Sequence, residues 1–163
     1  MPPLFHKTKK LKITQIYYKD SINHCPSEDF ISMADRMLFE QIVEAECYRT
    51  WDIDGYFLIA QTVMNQLETG KYGDTIREVL TRKNNYSVYA NGRYKKMKAS
   101  ADAVRAVRYA LDGAVPIGLN DVDVTEHTLF CTKGHLRKHT DGIHGRSIPV
   151  IEYENVIFFQ ERG

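Results

Sequence analysis

The chain has 163 residues, 43% of them hydrophobic, and its 22 basic and 21 acidic side chains leave a net charge of +1. That length supports one domain with its own core, and the charge balance excludes a general nucleic-acid binder. The three cysteines, Cys25, Cys47 and Cys131, have no paired spacing that would imply a disulfide framework.

No apolar run approaches the roughly 20 residues of a membrane span. Residues 1–34 read as an N-terminal extension. Pro2-Pro3, Lys7, Lys9, Lys10 and Lys12 open it, and β-leaning residues follow over Leu11–Lys19. It reads as an edge strand or as an arm that docks on a partner protein. Its basic start lacks the apolar core of a signal peptide.

A compact domain is assigned to residues 35–163. Its first helix is predicted over Met37–Cys47, where Leu38, Phe39, Ile42, Val43 and Cys47 recur at helical spacing. At about 100° per residue these side chains fill one arc, and Glu40, Gln41 and Glu44 take the solvated face opposite. Glu46 breaks the pattern, falling inside the apolar arc between Ile42 and Val43. A carboxyl placed there finds a partner or keeps its proton, because desolvation raises its pKa. A glutamate so placed serves as a general acid near neutral pH. The plainer alternative is that the helix ends here and Glu46 reaches water.

Tyr48–Gly55 is predicted as a loop carrying Trp51, Asp52 and Asp54. A second helix follows over about Gly55–Glu68, stopped by Gly70. Thr75–Arg82 reads as a short helix. Lys83–Met97 reads as a loop or hairpin with Asn91-Gly92 as its turn, and Ser100–Asp112 as a helix closed by Gly113. Strands are predicted over Thr128–Thr132 and Asn155–Gln160, separated by a polar loop rich in His, Lys and Arg. Helices first and a small sheet last give an α+β class, mostly helical, with the sheet formed largely by the C-terminal segment.

Three groups of residues compete for chemistry. The first joins Glu46 to the aromatic, hydroxyl and amide side chains of Asn84–Arg93. One protonated glutamate beside such a loop suits glycosidic cleavage; the alternative is a plain polar turn. The second is Cys131, His135, His139 and His144, with His127 nearby. These residue types suit zinc, yet the spacing matches no closed site, and Lys133, Arg137 and Lys138 crowd it with positive charge, as in a solvated loop. The third is a cysteine nucleophile. Cys47, on an apolar face, has a raised pKa and is inert. No metal and no cofactor are expected.

Ile42-Val-Glu-Ala-Glu46, Gly55, Ile59-Ala-Gln-Thr-Val-Met-Asn65, Asn85-Tyr-Ser87, Asn91-Gly-Arg93, Ala110-Leu-Asp-Gly113 and Val156-Ile-Phe-Phe159 stand in an order that resembles the spore cortex-lytic cell-wall hydrolases of the SleB/CwlJ type. The resemblance covers roughly residues 37–160. It implies a lysozyme-like catalytic domain cutting peptidoglycan between N-acetylmuramic acid and N-acetylglucosamine by lytic transglycosylase chemistry. Glu46 matches the catalytic glutamate, and Tyr86, Ser87 and Asn91 match the groove loop. Asn85 and Trp51 are added as substrate-binding candidates. Thr50 replaces the family's second acidic residue, a role for which Asp52 or Asp54 is the substitute in a true muramidase, and Gln66 replaces an arginine. The rival outside enzymes is a non-catalytic module that binds cell wall or builds a virion or spore. With no export signal, the chain is expected to reach wall or cortex after lysis, from a virion, or within a mother cell.

Overall fold

The computed structural model describes residues 31–135 and 147–161. Residues 1–30 of the N-terminal arm, with Cys25, and His139 and His144 of the polar loop lie outside the described residues.

Helix α1 spans Met33–Glu46. It starts four residues ahead of the predicted Met37 because Ser32 caps it, Oγ accepting from the Asp35 N–H at 3.1 Å. Leu38, Phe39, Ile42, Val43 and Ala45 are buried. The face expected to be solvated is covered instead. Gln41 Nε2 donates to the Met97 carbonyl at 3.3 Å, and Glu44 Oε2 accepts from Ser100 N and Oγ at 2.9 and 2.6 Å.

Helix α2, Ile53–Thr69, begins two residues before the predicted Gly55, since the Asp52 carboxylate caps it by accepting from Asp54 N at 3.0 Å. Gly70 ends it with φ 70. Residues Gly55 through Ala60 are buried without a break, so α2 is the central helix rather than an amphipathic surface one. Gly55 is required by closeness: a Cβ there would meet Tyr153 Cε1 at 2.6 Å and Trp51 Cε3 at 2.7 Å. Polar residues of α2 that turn inward are satisfied. Asn65 Nδ2, for example, donates to the Val124 and His127 carbonyls at 2.9 and 2.7 Å.

Helix α3, Ile76–Thr81, carries a Thr75/Glu78 capping box. The Lys83–Met97 stretch is neither open loop nor hairpin. It contains the one-turn helix α4, Ser87–Ala90, and a 3-10 turn, Arg93–Lys96. The hairpin reading of Asn91-Gly92 fails because a two-residue type I′ turn needs positive φ at both positions. Here Asn91 has φ -89 and only Gly92, at φ 73, is left-handed. Helix α5, Ala101–Leu111, is capped by Ser100 and packs on α2.

Strands β1 (Leu129–Thr132), β2 (Ser147–Tyr153) and β3 (Val156–Glu161) form an antiparallel sheet in the order β1-β3-β2. β3 is central, and Val156, Ile157, Phe158 and Phe159 are all buried. β2 is absent from the sequence reading, which placed it in the polar loop. Pro149 disguises it, but β2 is an edge strand and the register slips between Pro149 and Ile151, the setting in which a sheet tolerates proline. The α+β class, mostly helical with a small C-terminal sheet, is what the structure has. Among the described residues no helix is long and apolar enough to cross a membrane.

Candidate active site

A groove of about 850 Å³ opens between the C-terminus of α1, the Arg82–Arg93 segment and the start of β1. A smaller cleft of about 290 Å³ lies beyond Thr128 and Glu161, which face both. Only the larger one holds Glu46.

Glu46 is the last residue of α1. The helix does end here, yet the side chain enters the groove wall instead of reaching open water. Burial lifts its pKa from 4.5 to about 7. The Arg93 charge and a hydrogen bond from the Val88 backbone pull the other way. Both come from one local arrangement. Asn91 Oδ1 accepts from the Arg93 N–H at 2.9 Å, and Arg93 Nη2 donates to the Ala45 carbonyl at 2.8 Å, which ties Arg93 to the end of α1. Val88 lies in the first turn of α4, where backbone N–H groups lack helical partners. A carboxyl with a pKa near 7 gives up and takes back a proton at neutral pH with little penalty.

Asn85, Tyr86, Ser87 and Trp51 also line the groove, in different ways. Tyr86 is 2% exposed and its hydroxyl donates to Gln66 Oε1 at 2.9 Å. Asn85 Nδ2 donates to Gln66 Oε1 at 3.0 Å and to the Val79 carbonyl at 2.8 Å. Gln66 Nε2 returns bonds to Asn85 Oδ1 at 3.0 Å and the Thr128 carbonyl at 2.7 Å. Asn85 and Tyr86 therefore build the wall and have few polar atoms left for a ligand. Ser87 is exposed in the groove. Trp51 is buried, its ring 5.2 Å from both Tyr48 and Tyr153. The exposed ring beside Glu46 is Tyr48. Asn91 is not among the lining residues; it acts through Arg93.

Gln66 and Tyr48 are missing from the site residues read in the sequence, where Gln66 enters only as a departure from the family's arginine. Gln66 had a readable signal, since it stands seven residues after Ile59 on a buried stripe, the same anomaly that marks Glu46. Tyr48 had none beyond following Glu46 closely.

Asp52 and Asp54 do not line the groove. Asp52 caps α2 and accepts from the Tyr153 hydroxyl at 2.6 Å, and Asp54 lies against Gly118. The other lining carboxylate is Glu161, at the end of β3, whose Oε2 accepts from the Tyr72 hydroxyl at 2.9 Å. Burial and this bond push Tyr72 up to about 12, and the Arg82 guanidinium sits 5.6 Å above its ring. Cys47 is buried, and desolvation holds its thiol well above the usual range. His127 is fully buried, with Nε2 donating to the Leu58 carbonyl at 3.0 Å and its pKa pushed down to about 4 by desolvation. His135 Nδ1 meets Thr132 Oγ1 at 2.7 Å. Among the described residues no three metal-ligating side chains gather.

Residues 52–159 match the model of a family described as Cell Wall Hydrolase. The match takes in Asn85, Tyr86, Ser87 and Asn91 and begins after Glu46 and Trp51. No curated protein sequence matches the chain. Among solved structures, the chain is similar to the catalytic domain of the Bacillus cereus SleB protein, with a TM-score of 0.59 and 17% identity over 79% of this chain and 91% of that one. It is also similar to the catalytic domain of the germination-specific lytic transglycosylase SleB from Bacillus anthracis, with a TM-score of 0.62 and 16% identity over 80% of this chain and 97% of that one. At such identities the likeness establishes a shared fold.

Proposed function

Because the chain belongs to the cell wall hydrolase family, we propose that it is a peptidoglycan lytic transglycosylase with Glu46 as its general acid and base. The observation that carries this is the Glu46 carboxyl, one of two among the described residues that line the large groove and the one whose pKa is lifted, to about 7. Protonated Glu46 gives its proton to the oxygen between muramic acid C1 and the next sugar as that bond breaks. The resulting carboxylate is stabilised by the Arg93 charge and the Val88 N–H, the two groups that favour its ionised form. It then takes the proton of the muramic C6 hydroxyl as that oxygen closes on C1. The product is a 1,6-anhydro end, no water is consumed, and Glu46 is again protonated. Ser87 and Tyr48 are exposed in the groove, where they can meet the sugars.

Glu161 favours a second reading. It takes over from Asp52 and Asp54 as the candidate second carboxylate, because it lines the groove and they do not. A hydrolytic muramidase would use it to activate water. Mass spectrometry of the fragments released from purified peptidoglycan separates the readings. Anhydro ends, lighter by one water and free of oxygen-18 in labelled solvent, are expected. Reducing ends carrying solvent oxygen would transfer the assignment to a two-carboxylate mechanism. Wall binding without fragments would mean a non-catalytic module.

A further inference from the structure

Between Glu78 and Asp102 the chain has no acidic residue and six basic ones: Arg82, Lys83, Arg93, Lys95, Lys96 and Lys98. The whole protein has a net charge of only +1, so this is a segregation of charge. All six side chains are exposed. Arg82, Lys83 and Arg93 line the groove, and Lys95 and Lys96 continue from Arg93 in the same 3-10 turn. Most other described cations sit beside an acid: Arg36 by Glu40, Arg77 by Asp35, Arg105 by Asp102, Arg108 by Asp112, and Lys133 by Glu152. None of the six forms a salt bridge with a described residue. The acids facing them in the groove are Glu46, half protonated near pH 7, and Glu161, held by Tyr72. One wall of the groove therefore presents unbalanced positive charge to its occupant, and field lines concentrate in such a cleft.

Glycan sugars, joined through glycosidic oxygens and bearing neutral acetamido and hydroxyl groups, give such a wall nothing to pair with. The carboxylates of peptide side chains borne on alternate sugars do. Resting on the reading of the groove as a glycan site, we propose that the Arg82–Lys98 wall recognises these carboxylates and selects anionic, peptide-bearing strands over uncharged ones. Arg suits bidentate carboxylate contact and Lys a point contact. The partner chemistry is an array of anions along a polymer, which phosphate-bearing polymers attached to the wall would also offer.

The test is co-sedimentation of the full chain carrying Glu46→Gln with three preparations of insoluble wall. One is native, one is stripped of phosphodiester polymers by cold hydrofluoric acid, and one has its carboxyl groups amidated. Amidation is expected to weaken binding about tenfold and acid stripping to leave it unchanged, with binding falling as salt rises past the screening range. Arg82→Gln with Lys83→Gln should weaken binding to native wall about tenfold and leave amidated wall unaffected. Lys95→Gln with Lys96→Gln, remote from the packed core, gives a second variant should the first misfold. Equal binding to native and amidated wall would overturn the proposal. So would loss of binding on acid stripping, which assigns the wall to phosphate, or tighter binding to duplex DNA than to wall. The outcome is separable from the catalytic reading. If wild type releases no fragments but binding still depends on carboxylates, the reaction fails and the recognition stands. If wild type cleaves native and amidated walls equally, the recognition fails alone.

Discussion

Glu46 holds a proton that the unfolded chain would release. Below 4.5, its ordinary value, the carboxyl is protonated in both states. As pH climbs from 4.5 toward the folded value near 7, the unfolded state ionises first and is favoured, so stability falls over that window and stays low above it. The shift corresponds to roughly 2–3 kcal/mol, discounted for the side chain's partial exposure. Glu46→Gln removes the titration while keeping the shape. The variant should melt several degrees higher than wild type at pH 8, the two should match at pH 4, and wall cleavage should be abolished. Equal melting differences at both pH values would mean that Glu46 is not held protonated by the fold. Arg93 favours the ionised form, so Arg93→Gln should move the alkaline limb of kcat/KM, whose midpoint is expected near 7, to higher pH. A midpoint that stays still or falls would remove Arg93 from the electrostatics of the acid.

The groove wall is built by elements that meet at Gln66, where α2, the Asn85-Tyr86 segment and the start of β1 are joined by one amide. Both of its polar atoms are fully engaged, which makes the network costly to open: each buried group left unpaired costs about 1–3 kcal/mol. Gln66→Leu should lower stability by at least about 2 kcal/mol in urea unfolding, whereas Tyr86→Phe, which removes one bond, should cost about 1 kcal/mol. If the two variants lose the same amount, the network is not a unit. At this scale the helices were legible because α1 and α5 carry apolar stripes and α2 ends on a glycine, and β1 and β3 because they are apolar runs. Two things were not. β2 breaks its strand pattern with Pro149, acceptable only because tertiary pairing leaves it at an edge. The polar face of α1 reads as solvated because nothing local says that Ser100 and Met97 return to cover it. Glu46 was legible for the same reason that Gln66 could have been: each is a polar group on a stripe that periodicity assigns to the core. The exposed partners of the site, Tyr48 and Arg93, depend on how distant segments meet, and periodicity along one helix carries no such information.

For the whole molecule, the described core runs from Leu38 on α1 to Phe158 on β3 and is one cluster, so the helices and the sheet should unfold together. We propose that the catalytic domain needs nothing before residue 31. The sequence boundary at 34/35 falls inside α1, after its Ser32 cap and its first two residues. A chain beginning at residue 35 loses that cap, an interaction typically worth about 1 kcal/mol. It also frays the first turn of the helix whose last residue is Glu46. A chain beginning at residue 31 should therefore keep the melting temperature and wall-cleaving rate of the full chain. One beginning at residue 35 should melt lower by a few degrees, and its unfolding should remain a single transition in calorimetry and in tryptophan fluorescence, since Trp51 reports from the junction of α2 and β2. Two separate transitions would show that the sheet is not held by the same core as α1. A marked loss of cleavage in the chain beginning at residue 31, with its melting temperature unchanged, would mean that the first thirty residues contribute to the substrate site and are not an arm apart from it.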